Sequence, residues 1–129
     1  MEKKANNEDK IMWKVMIVDD EKLICKLVQA LVEWDKLGMQ MAAQAENAIQ
    51  ALDMLQQYRP DILITDIRMP GMDGLELIKN AKKICPELEI IIISGYAHFE
   101  YARNALSLGV GNYLLKPIKQ DELNETLRK

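Results

Sequence analysis

The chain has 129 residues, a formal charge of -3 and 49% hydrophobic residues. That length suits one domain with its own core. The charge leaves no basic footprint for DNA or RNA, and no apolar stretch approaches the roughly 18 residues of a membrane span. The two cysteines, Cys25 and Cys85, lie far apart in helical contexts and read as buried free thiols of a cytoplasmic protein.

Met1 to Lys10 is polar and lacks the apolar core of a secretory signal. Residues 1–12 are expected as a disordered tail or expression remnant, and 13–129 as the domain. Val15-Met16-Ile17-Val18 reads as a strand ending in Asp19-Asp20-Glu21. Leu23, Ile24, Leu27, Val28, Leu31 and Val32 then repeat at helical spacing, a stripe expected to pack on a sheet, with Gly38 as its stop. Met39 to Ala45 is the weakest strand. Asn47 is placed to cap a helix running to Tyr58, closed by Arg59-Pro60. Ile62-Leu63-Ile64-Thr65 is a buried strand delivering Asp66 to its tip, before a loop containing Pro70, Gly71 and Gly74. A helix from about Gly74 to Ile84 precedes Pro86. Ile90-Ile91-Ile92-Ile93 is a strand ending in Ser94-Gly95. His98 to Leu108 is a fourth helical segment, Tyr113-Leu114-Leu115 a strand ending in Lys116-Pro117, and Lys119 to Lys129 a short last helix. The alternation of strands and helices argues for a parallel α/β sheet.

Parallel strands would bring Asp19, Asp20, Asp66, Ser94 and Lys116 to one sheet edge, where open α/β sheets carry their sites. Three clustered carboxylates repel each other unless a cation neutralises them. Oxygen donors without His or Cys favour a hard cation, and Mg²⁺ suits a site that also holds phosphate. Taken singly, each residue has a plainer reading. Asp66 before Pro-Gly forms turns, Asp19-Asp20 caps a helix, Ser94 sits in a turn and Lys116 is a solvated lysine.

Together these motifs resemble the receiver domain of bacterial two-component response regulators. The resemblance spans about Trp13 to Lys129: Asp-Asp after the first strand, Asp-x-x-Met-Pro-x-Met-Asp-Gly after the third, Ser-Gly after the fourth and Lys-Pro after the fifth. It implies a flavodoxin-like (CheY-like) doubly wound sheet of five parallel strands, order 2-1-3-4-5, with five helices. It implies Asp66 as phosphoacceptor, Asp20 as a direct Mg²⁺ ligand, Asp19 as its water-mediated companion and the backbone carbonyl of Arg68 as a further ligand. Ser94 resembles the hydroxyl that moves to the phosphoryl group, Lys116 the lysine that pairs with it, and Tyr113 the rotating aromatic switch. Gly95 would keep the phosphoryl site open. A cis Lys116-Pro117 bond is also implied; about 5–6% of X-Pro bonds are cis, so the residues alone leave both isomers open.

The implied donor is a sensor histidine kinase or a small acyl phosphate. The implied output is transcription regulation by an absent C-terminal DNA-binding domain. Ser94-Gly95-Tyr96 and Phe99-Glu100-Tyr101-Ala102 look like receivers attached to AraC-type domains. Homodimerisation through the fourth helix, fifth strand and fifth helix is a family expectation, and the chain is expected to be cytoplasmic and no enzyme in its own right. His98 reads as a surface or capping residue, Tyr96, Phe99 and Tyr101 as partner-facing or packing residues, and the methionines as core filler. Trp13 and Trp34 receive no chemical role.

Three other functions compete. A haloacid-dehalogenase-like, Mg²⁺-dependent phosphatase needs a second acid two residues after its nucleophile; Arg68 stands there after Asp66, and Lys22 after Asp20. A flavin or nucleotide module needs a phosphate cradle after the first strand, where Asp19-Asp20-Glu21 would repel it. A receiver-like interaction module that no longer phosphorylates is the third.

Overall fold

The computed structural model describes residues 12–67, 71, 74–95 and 112–128. Its elements are β1 (Trp13–Val18), α1 (Lys22–Leu31), α2 (Trp34–Leu37), β2 (Met39–Ala45), α3 (Ala48–Tyr58), β3 (Ile62–Thr65), α4 (Gly74–Ile84), β4 (Glu89–Ser94), β5 (Asn112–Leu115) and α5 (Gln120–Arg128). The apolar runs become the strands, and every residue of β3 is buried, as expected of a central parallel strand. The five strands pair in parallel in the order β2-β1-β3-β4-β5, which is the expected winding. The expected segment from His98 to Leu108 lies outside the described residues, as do Arg68, Tyr96, Phe99 and Tyr101.

Alternation along the strands divides the core between two sheet faces. Met16, Val18, Leu63, Ile90 and Ile92 pack with residues of α3 and α4, including Ala51, Leu55, Leu77 and Ile78. Val15, Ile17, Ile64, Ile91 and Ile93 pack with Cys25 and Val28 of α1 and with Leu123 and Leu127 of α5. The edge strand β2 holds its partner through a bulge, Val15 facing Met41 and Met16 facing Ala43. Asn47 caps α3 as anticipated, its Oδ1 accepting Gln50 N–H at 2.8 Å.

Three expectations need correction. The α1 stripe is narrower than its sequence: Leu23 is 76% and Leu27 39% exposed. These two stand one helical turn apart on the outer flank, while Cys25 and Val28 are buried and Ile24 and Leu31 pack beside them. Gly38 does not stop that helix. The chain turns extended at Val32 (φ -73°, ψ 132°), and Gly38, at φ 66°, caps the one-turn α2 instead. The break is held from α5: Asn124 Nδ2 donates to Leu31 O at 2.8 Å, and Asn124 Oδ1 accepts Glu33 N–H at 2.8 Å. Finally, Cys85 is half-buried just beyond α4, so only Cys25 is a buried helical thiol. No described helix is long and apolar enough to cross a membrane.

Candidate functional site

The winding carries four strand ends to one edge. β1 runs into Asp19 and Asp20, β3 into Asp66, β4 ends on Ser94 and β5 runs into Lys116. Asp19 N–H continues the ladder to Ala45 O at 3.1 Å and Asp66 N–H to Val18 O at 3.2 Å, so both acids extend their strands. Lys116 N–H donates to Ser94 O at 2.8 Å, locking those two positions side by side, and the Lys116-Pro117 bond is cis.

Carboxylate oxygens of Asp19, Asp20 and Asp66 lie within 4.8 Å of one another. Asp19 and Asp66 are buried and Asp20 is exposed. Lys116 Nζ reaches Asp66 Oδ2 at 3.1 Å and Asp19 Oδ2 at 3.5 Å. Asp19 Oδ1 accepts Glu21 N–H at 2.9 Å, and Asp66 Oδ1 accepts Ile67 N–H at 2.7 Å. The capping reading of the acids falls here: the residue before α1 is Glu21, which makes no side-chain capping bond, and Asp19 binds the N–H of Glu21 itself.

The electrostatics follow from burial. Desolvation raises the Asp19 carboxyl to about 6, against the Glu21 N–H and Lys116, which lower it; the Asp66 charge adds to the rise. Burial alone would lower the Lys116 ammonium, but Asp19 and Asp66 outweigh it and hold its pKa above the ordinary lysine value. Burial, then the Asp19 charge, pushes the Cys25 thiol up to about 11. It therefore stays protonated and faces Asp19 O at 3.8 Å as a weak donor.

This donor set fits a hard divalent cation. Among the described residues it offers carboxylate oxygen, two of the acids are buried, and Lys116 faces them. Oxygens sharing one Mg²⁺ lie roughly 3 to 4 Å apart, close to the observed cluster. Among the described residues the structure thus brings Asp19, Asp20, Asp66 and Lys116 together, with Ser94 1% exposed at the adjacent strand end. Tyr113 is half-buried on β5 against the core face of α3 and α4. The expected Arg68 carbonyl lies outside the described residues. Sequence reasoning missed Gly74 as part of the site. A Cβ there would collide with Asp66 O and come within 2.6 Å of Ile67 Cα, while Gly74 N–H closes the loop on Ile67 O at 2.6 Å. Its place in Asp73-Gly74 was the available signal. An added Cβ at Gly95 would meet, among the described residues, Lys116 Cδ at 3.8 Å, an ordinary contact.

Comparison with known proteins gives this site relatives. The profile of the response regulator receiver domain matches residues 15–128. The chain is 39% identical over 118 residues to the uncharacterized transcriptional regulatory protein YesN of Bacillus subtilis, covering 92% of this chain and 32% of that protein. It is 34% identical over 116 residues to the transcriptional regulatory protein HptR of Staphylococcus aureus, covering 90% of this chain and 45% of that one. The chain thus spans less than half the length of these curated relatives. Among solved structures, the REC domain of AraT, a response regulator from Geobacillus stearothermophilus, superposes with a TM-score of 0.85 at 40% identity, over 90% of each chain. A two component transcriptional regulator AraC from Clostridium phytofermentans gives 0.84 at 36% identity, again over 90% of each.

Proposed function

Because this chain belongs to the response regulator receiver domain family, we propose that it works in the cytoplasm, accepting a phosphoryl group on Asp66 from a sensor histidine kinase and passing the change to a transcription output. The observation that carries this reading is the charge arrangement: buried Asp66 is 3.1 Å from Lys116 and within 4.8 Å of two further acids. A structural aspartate has no need of such company.

Asp19, Asp20 and Asp66 would hold the Mg²⁺. When bound, the ion offsets the repulsion between carboxylate and anionic donor and stabilises charge on the phosphoryl oxygens. Asp66 supplies the nucleophilic oxygen. Its new O–P bond forms as the P–N bond of a phosphohistidine, or the P–O bond of an acyl phosphate, breaks. Lys116, held charged by its two acids, covers one phosphoryl oxygen. Ser94 and loop amides donate to others. These groups position and neutralise without abstracting a proton. On this reading the chain is no free-standing enzyme. It assists only its own phosphorylation and the hydrolysis that resets it.

The switch follows from the added charge. Drawn toward the phosphoryl group, Ser94 would leave room for Tyr113 to turn inward, reshaping the β5–α5 side of the domain. The relatives that extend well beyond this chain are named as transcriptional regulators. That supports a DNA-binding output on a longer protein, and dimerisation through the β5–α5 side is proposed with it.

The test is intact mass after incubation with acetyl phosphate, with and without Mg²⁺. One added phosphoryl group needing both Mg²⁺ and Asp66 is expected. No adduct on the native chain, or an adduct surviving in Asp66→Asn, would overturn the reading.

A further inference from the structure

Asp66 and Ile67 share one planar peptide unit, and both of its polar ends are taken. At one end, Asp66 O accepts the Thr65 hydroxyl at 2.9 Å. At the other, Ile67 N–H donates to Asp66 Oδ1 at 2.7 Å. A peptide plane is rigid, so whatever sets the direction of its carbonyl sets the direction of its N–H. The Thr65 hydroxyl therefore acts on the carboxylate through a plane that cannot flex. With Oδ1 held in this way, Oδ2 lies toward Lys116 at 3.1 Å.

The surroundings make the hydroxyl hard to replace. Thr65 is 1% exposed, so bulk water does not reach its position. Gly74 approaches the same carbonyl so closely that a side chain there would collide with it. A buried acceptor that loses a donor is held less firmly in direction, and this one would take Ile67 N–H with it. Nothing in the parallel ladder requires a hydroxyl at this position; the rest of β3 is Ile and Leu.

We propose that Thr65 is a positioning residue for phosphoryl acceptance: its hydroxyl orients the Asp66–Ile67 peptide, and that peptide aims the Asp66 carboxylate. The inference rests on the phosphoacceptor reading above. Thr65 touches neither donor nor metal; it acts through Asp66.

Three variants separate aim from packing. Thr65→Ser and Thr65→Ala both lack the γ-methyl and differ only in the hydroxyl, while Thr65→Val keeps the shape without it. Initial rates with acetyl phosphate are measured per folded molecule across a range of donor concentrations, with thermal unfolding recorded alongside. Thr65→Ser should stay within about twofold of the native chain, and Thr65→Ala and Thr65→Val should fall about 3- to 10-fold at saturating donor, with half-saturation unchanged. Equal rates for the Ser and Ala variants would overturn the proposal, as would losses that follow unfolding temperature rather than the hydroxyl. The Ser–Ala pair decides the matter even if Thr65→Val does not fold. A native chain that takes no phosphoryl group would instead bring down the phosphoacceptor reading, and this inference with it.

Discussion

Strand β3 enters and leaves through an aspartate, and the two acids have opposite surroundings. Asp61, at the entry, is absorbed into the sheet. Its N–H donates to Lys14 O at 2.8 Å, its carbonyl accepts Glu89 N–H at 3.0 Å, and Oδ2 accepts Lys14 N–H at 2.8 Å. It lines a cavity of about 550 Å³ at the opposite edge from the site, with Trp13, Lys36, Glu89 and Arg128. Asp66, at the exit, sits among two other acids and one lysine. One acid knits three strands together; the other is paired with a lysine that it shares with Asp19. The difference is which end of a parallel strand the side chain occupies, because the winding gathers the site's acids at the exit end.

Exchanging the chemistry of the two acids should have unequal effects. Asp66→Asn is expected to abolish phosphoryl uptake and leave the fold intact. Asp61→Asn should leave uptake unchanged and cost about 1 kcal/mol of stability, the scale of one weakened hydrogen bond; intact mass and urea unfolding read both. Next in size is Lys116→Ala, which strips Asp19 and Asp66 of their shared cation. The metal-free protein should lose roughly 2–3 kcal/mol at pH 7 while still binding Mg²⁺, with no phosphorylation-driven change in amide spectra.

A pH series sharpens the contrast further. Asp19 holds its proton more tightly folded, at about 6, than at the ordinary value of 3.8. Its contribution to stability is therefore complete below pH 3.8 and is lost as pH rises through 6. Metal-free protein should weaken over that window by on the order of 3 kcal/mol, and Asp19→Asn should flatten the slope in thermal unfolding. Smallest is Gly95→Ala, whose methyl meets, among the described residues, Lys116 Cδ at 3.8 Å. Stability should move by less than about 0.5 kcal/mol and phosphorylation should persist.

The strands and the acids at their tips were legible because both signals are local. Short apolar runs bounded by turn residues read as buried strands, and Asp19, Asp66 and Lys116 each follow one directly. Even β2, poor in β-branched residues, was placed at Met39–Ala45. What escaped depends on partners far away in sequence. The break between α1 and α2 is held by Asn124, 93 residues beyond Leu31, and no pattern within Glu33-Trp34-Asp35-Lys36 announces it. The exposed side of α1 was misread because Leu23 and Leu27 are apolar yet face away from the sheet. Trp34, given no role from sequence, ties α2 to α1 by donating Nε1–H to Gln29 O at 2.9 Å. Gly74 was readable as a motif letter, whereas its closeness to Asp66 O needed coordinates.

Lys116 meets Asp66 across 50 residues of chain and Asp19 across 97. No partly assembled sheet contains that meeting point, because β1, β3 and β5 must all be in register first. Asp19, Asp20 and Asp66 come from two strand ends alone, so a divalent cation there would need β1 and β3 paired and would favour that paired state by mass action. On the proposed reading a phosphoryl group asks for more, since Lys116 joins only when β5 is in register, so a copy with an unfinished sheet would hold a cation before it could answer a phosphoryl group.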